Sequence, residues 1–110
     1  KHWIAYTLNP AGALRVDAGA ERALAGGGRS LLPSGVVAVE GDFGVGDCVR
    51  CLGPDGTEFA RGLVNYGAGE LVRIAGAHTR EIERRLGYKG SDEVIHRDDL
   101  ALVAPARPGG

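Results

Sequence analysis

The sequence contains no methionine, and its 110 residues begin at Lys1. Translation needs a start residue, so the sequence reads as a piece of a longer protein. Long apolar runs are missing as well: none approaches the roughly eighteen residues of a membrane-spanning helix. The N-terminus lacks the charged, apolar and small-residue regions of a signal peptide. The expectation is a soluble, cytoplasmic chain with no membrane partner. An excess of one charge is also absent, since thirteen basic residues face fourteen acidic ones for a net charge of −1. Nucleic-acid binders usually carry a basic surplus, because neutralising phosphates and releasing counterions supplies much of their affinity. Any such role here rests on a local patch. Only Lys1 and Lys89 are lysines; the other basic residues are arginines, which suit planar phosphate contacts.

Cysteine is scarce. Cys48 and Cys51 form one C-x-x-C, a spacing that marks a zinc half-site or a redox pair in other settings. Here it lies in "GDCVRCLG", a short apolar run that reads as a strand. Residues three apart on a strand point to opposite faces, so the thiols diverge. There is no second C-x-x-C, and His2, His78 and His96 lack paired-ligand spacing. The reading is two unlinked thiols and no metal site.

Phosphate loops are missing too. The stretch "GGGRSLLPSGV" (26–36) has glycines, an arginine and a serine, but not G-x-x-x-x-G-K-[ST]. Its order is also wrong, because a phosphate loop runs strand, glycines, helix and offers a helix N-terminus to the anion. Here the glycines follow a helix-like segment, where they act as its stop. "GVGDCV" (44–49) lacks the third glycine of a dinucleotide fingerprint. "HRDDLALV" (96–103) has the first three residues of a kinase catalytic loop, but Val103 stands at the asparagine position and no D-F-G follows. It reads as a final strand with a charged turn at Asp98 and Asp99, whose adjacent side chains face apart.

What is present favours one domain with a modest core. "HWIAYTL" (2–8) reads as a strand, "NPAG" (9–12) as a turn and "ALRV" (13–16) as a second extended piece. Asp17 fits a helix N-cap for "AGAERALAGG" (18–27), with Gly26, Gly27 and Gly28 supplying a positive-φ termination. "SLLPSG" and "VVAVEG" read as extended, and "DFGVGD" (42–47) as a turn. "CVRCL" and "EFARGLVNY" (58–66) read as strands joined by a Pro-Asp-Gly hairpin loop. "GELVRIAG" (69–76) and "HTREIERRLG" (78–87) show helical spacing, and "DEVIHRDDLALV" (92–103) returns to extended structure. On the last helix Arg80 and Arg84 share a face and Glu81 pairs with Arg85, a solvated mixed-charge surface. Arg22 and Arg29 bracket the first helix within reach of one phosphate-sized ligand. Many short strands with few short helices predict a small barrel-like sheet with helices at its ends.

Taken together, "DAGAERALAGGGRSLLPSGVVAVEGDFGVGDCVRC" resembles the PUA domain family, named for pseudouridine synthases and archaeosine transglycosylases. The matching positions are Asp17, Gly19 and Ala20 at the helix start, then Gly28, Leu31, Leu32, Gly35 and Val36. Gly46, Asp47 and Val49 complete the pattern. "ARGLVNY" (60–66), "LGY" (86–88) and "DEVIHRDDLAL" (92–102) resemble one branch, the PUA domain at the C-terminus of bacterial glutamate 5-kinases.

The resemblance implies a mainly β fold with short helices, a PUA-like pseudo-barrel of mixed strands over 1–103. Residues 104–110 then form a disordered Pro/Gly-rich tail. It implies a homo-oligomeric parent that uses ATP and Mg²⁺ to phosphorylate the side-chain carboxylate of glutamate in proline biosynthesis, with proline as feedback inhibitor. Its catalytic residues belong to an N-terminal amino-acid kinase domain absent from this sequence, so none carries over and the domain itself needs no cofactor. In RNA-binding members the contact surface is the first helix, the glycine-rich step and the following strand. Matched here, that surface is Asp17, Gly19, Ala20, Arg22, Arg29, Ser30, Leu32 and Pro33. It has small residues for close backbone approach but no aromatic ring to stack a base.

Overall fold

A computed structural model describes residues 9–103. The expected strand over 2–8 and the tail over 104–110 lie outside them. Five strands form one mixed sheet: β1 (Gly12–Val16), β2 (Val36–Gly41), β3 (Cys48–Leu52), β4 (Glu58–Leu63) and β5 (Leu100–Leu102). Their order is β2-β1-β3-β4-β5. β1 and β3 run parallel and every other pair is antiparallel. Helices α1 (Ala18–Ala25), α2 (Ala68–Ile74) and α3 (Ile82–Leu86) complete the domain. The core lies against one sheet face, where Leu14, Val16, Val49 and Cys51 meet Leu24, Leu71, Ile74 and Ile82 from the helices.

The local reasons are legible in the residues. The β3–β4 turn is held by the Asp55 carboxylate, which accepts from the Thr57 amide at 2.9 Å and the Thr57 hydroxyl at 3.0 Å. That bonding holds the Asp55 carboxyl below its usual range. Gly56 supplies the left-handed residue, with φ of 84°. In β2, Val36 pairs with Val16 and Ala38 with Arg15, so Val37 is the extra residue of a bulge and lies exposed. α2 starts at Gly67, whose amide donates to the Glu70 carboxylate at 2.7 Å. A glycine has no cap of its own, and Glu70 provides the missing acceptor from the first turn.

Several expected boundaries move. Gly26 ends α1 in right-handed geometry, and the positive φ belongs to Gly27 and Gly28. The extended reading of "SLLPSG" is interrupted by a single 3₁₀ turn, Pro33–Gly35, because Pro33 is preset for such a turn. The strand expected over 58–66 ends at Leu63, since Asn65 and Tyr66 turn away to fasten a distant loop. The buried Tyr66 hydroxyl accepts from Gly90 and Ser91 amides at 3.1 and 2.8 Å, and Asn65 Nδ2 donates to the Glu93 carbonyl at 3.1 Å. Thr79–Glu81 is a 3₁₀ turn before α3, so Arg80 and Arg84 are not on one α-helical face. Glu81 pairs with Arg84 instead of Arg85, and Arg85 donates to the Arg73 carbonyl. Most of 92–103 is not strand: β5 covers only Leu100–Leu102, after a 3₁₀ turn at Arg97–Asp99.

Candidate functional site

Asp17 organises a concave part of the surface. Its amide donates to the Gly35 carbonyl at 3.0 Å, tying the end of β1 to the 3₁₀ turn. Its carboxylate Oδ1 accepts from the Ala20 amide at 2.7 Å, so the expected N-cap is present. A Cβ on Gly35 would lie 2.7 Å from the Ala20 Cβ, so only glycine lets the turn rest on α1 at this distance. Beyond α1 the left-handed Gly27 and Gly28 bring the chain back alongside the helix.

The result is a groove of about 260 Å³ between α1 and residues 29–35. Leu24 and Leu31, both buried, form its apolar floor, with Ala20 and Ala23 beside them. Arg29, Ser30 and Ser34 supply its polar edge. The sequence-derived residues Asp17, Gly19, Ala20, Arg29, Ser30 and Leu32 all line this groove. Arg22 and Pro33 do not. Arg22 is exposed on the last turn of α1, away from the face that carries Gly19 and Ala23. Pro33 is buried, and its carbonyl accepts from the Gly76 amide at 2.8 Å. Ala23 and Ser34 were missed by the sequence reading, although Ala23 follows Gly19 by four residues and so shares its helix face.

Two features of the groove are not accounted for by internal packing. A Cβ on Gly19 would meet nothing closer than the Asp17 carboxylate at 3.5 Å, an ordinary contact. Internal packing therefore does not demand glycine, which costs up to about 1 kcal/mol relative to alanine within a helix. Its effect is to bare backbone at the lip of the groove. Arg29 is exposed, and its guanidinium has no partner among the described residues.

The C-x-x-C motif is part of the packing. Cys48 and Cys51 are both free and buried, on opposite faces of β3: Cys51 in the main core, Cys48 in a small cluster with Ala101. Burial raises both thiols, Cys51 to about 12. No group of three metal-ligating side chains occurs among the described residues. On the outer sheet face Glu58 takes ion pairs from Arg50 at 3.2 Å and Arg61 at 2.5 Å. Burial pushes the Glu58 carboxyl up, but the hydrogen bonds from Arg61 and Arg50 outweigh it and hold the group below its usual range. Among the described residues no helix is long and apolar enough to cross a membrane.

Comparison with known proteins agrees with this geometry. The sequence profile of the PUA domain matches residues 12–86. The glutamate 5-kinase of Trichlorobacter lovleyi is 59% identical over 103 residues, covering 94% of this chain and 27% of that enzyme. That of Geobacter sp. is 57% identical, over 94% of this chain and 28% of the enzyme. The chain thus spans little more than a quarter of the length of the curated relatives it matches. Among solved structures, a PUA domain from Aeropyrum pernix, determined as a tartrate complex, superimposes with a TM-score of 0.59 at 30% identity. The match covers 79% of this chain and 41% of that one. The strand order, the Asp17-capped helix and the glycine-rich step thus have one explanation: the chain belongs to the PUA domain family.

Proposed function

We propose that the chain is the non-catalytic PUA domain of a glutamate 5-kinase and acts on the amino-acid kinase domain of the same protein as a regulatory and assembly module. The observation that carries this reading is the identity of 59% across 94% of the chain with an enzyme of which it matches only 27%. ATP, Mg²⁺ and glutamate would then be handled by the unmatched remainder, in the cytoplasm, within a homo-oligomer. The groove supports a non-catalytic role, since its only carboxylate, Asp17, is engaged in capping α1. Removing residues 1–110 from the parent enzyme is expected to leave phosphoryl transfer intact. It should change the proline concentration needed for inhibition, the Mg²⁺ requirement or the oligomer size. A truncated enzyme identical to the parent in all three properties overturns the reading.

A second reading, an RNA-binding module, is favoured by the groove itself, with bare backbone at Gly19 and a free Arg29 guanidinium at its edge. Titration with a structured RNA is expected to shift the amide resonances of residues 17–36, less so as salt is added. Unmoved resonances at low salt dismiss it.

A further inference from the structure

We propose that Arg97, from the far end of the chain, works with Arg29 as a two-guanidinium clamp on one phosphate group at the open edge of the groove, an inference that rests on the RNA reading. The motif "HRDD" (96–99), without a role as a kinase loop, here acquires one.

The fold carries Arg97 there by three contacts. Leu31 and Ile95 form a two-residue bridge, in which the Leu31 amide donates to the Ile95 carbonyl at 2.9 Å and the Val94 amide donates to the Leu31 carbonyl at 2.7 Å. One step further on each side, the Arg97 amide donates to Ser30 Oγ at 2.8 Å. His96 Nδ1 accepts from the Asp98 amide at 3.1 Å and so shapes the turn that presents Arg97. Ser30 lines the groove and is the chain neighbour of Arg29. Standard backbone dimensions then place the Arg29 and Arg97 Cα atoms within about 10 Å of each other. Two arginine side chains over that span can meet on one phosphate, where the planar fork gives paired donors.

Arg15, Arg22 and Arg80 also lack a side-chain partner among the described residues, but none of them adjoins Ser30, and the remaining basic groups are engaged. Arg50 and Arg61 share Glu58, Arg84 takes Glu81 and Lys89 takes Asp92. Arg73 and Arg85 exchange bonds with each other's backbone carbonyls. Arg29 and Arg97 are exposed, and neither guanidinium has a partner among the described residues. The acid beside Arg97 is turned elsewhere, because the Asp98 carboxylate lies 3.5 Å from His96 Nδ1. Arg29 thus brings a guanidinium to the polar edge of a groove with an apolar floor, and the Ser30 bond anchors the backbone of Arg97 next to that edge.

The test is fluorescence anisotropy with the 110-residue chain and a labelled RNA hairpin carrying a single-stranded tail, across a salt series. Arg29→Ala and Arg97→Ala are each expected to weaken binding about tenfold and to reduce the salt slope by about 0.7. Because both groups hold one phosphate, the double variant should lose much less than the product of the two single losses. Both side chains are exposed, and Arg97→Ala keeps the amide bonded to Ser30, so thermal midpoints should not move. Full additivity, or an Arg97→Ala chain that binds like the unaltered one, overturns the clamp while leaving the groove reading in place. An unaltered chain that fails to bind the hairpin at low salt overturns both.

Discussion

Replacing Gly62 with alanine is expected to destabilise the domain by about 3 kcal/mol, the upper end for one methyl forced into a packed core. The added Cβ would lie 2.6 Å from Ile95 Cγ2, 3.1 Å from Ile95 Cδ1 and 2.9 Å from the Asp99 carbonyl oxygen. Neither neighbour gives way easily. Ile95 is fully buried, and the Asp99 carbonyl belongs to the backbone just before β5. The φ of Gly62 is not positive, so the cost is steric and not conformational. It also propagates, because displacing Ile95 disturbs the carbonyl that receives the Leu31 amide and hence the floor of the groove. For a domain of this size such a loss lowers the thermal midpoint by about 12–24 °C. Gly69→Ala is the matched control: nothing lies within 4 Å of its Cβ position, so α2 should gain slightly. Urea unfolding at constant m-value distinguishes the two, and a Gly62→Ala chain as stable as Gly69→Ala contradicts the close approach of β4 to Ile95.

Gly62 also illustrates what a single sequence reveals and what it does not. The Asp17 cap, the Pro-Asp-Gly hairpin and the divergence of Cys48 and Cys51 were readable because their chemistry lies within a few residues. The segment 92–103 misled for the opposite reason. Its alternating apolar residues fit a strand, yet its bonding partners include Asn65, Leu31 and Ser30, each far away in sequence. The site divides in the same way. Gly19 and Ala20 were found from their place at the helix start, whereas Arg22 called for knowledge of how α1 is rotated against the Pro33–Gly35 turn. That rotation is set by the Gly35–Ala20 contact, which no periodicity encodes. Arg97 reaches the groove only through a sheet-edge bridge, so its local pattern suggested a charged turn and nothing more.

Alkaline pH is expected to unfold this domain earlier than its other ionisable groups require, and Cys51 is the reason. The residue pairs with Leu14 and Ala60 in the middle of the sheet and is wholly buried. Burial, followed by the neighbouring Cys48 and Glu58, pushes its thiol from 9.0 to about 12. In the unfolded chain the same thiol ionises near its ordinary value. Between these two pH values the unfolded state therefore binds fewer protons, and stability falls as pH rises. The contribution is fully present below pH 9.0 and is lost progressively up to about 12. Three pH units correspond to about 4 kcal/mol, a large share of a small domain's stability. The Cys48 thiol, also raised by burial, adds in the same direction. The Tyr88 phenol, raised by its bond to Glu70, is exposed and forms a background common to every variant. Urea unfolding across this pH range should show a steep decline for the unaltered chain. Cys51→Ala should start lower, because of the cavity it leaves, and decline less. Parallel declines would place the alkaline sensitivity elsewhere. A maleimide probe supplies an independent check: it should label Cys51 in urea but not in the folded domain, since reaction requires an exposed thiolate.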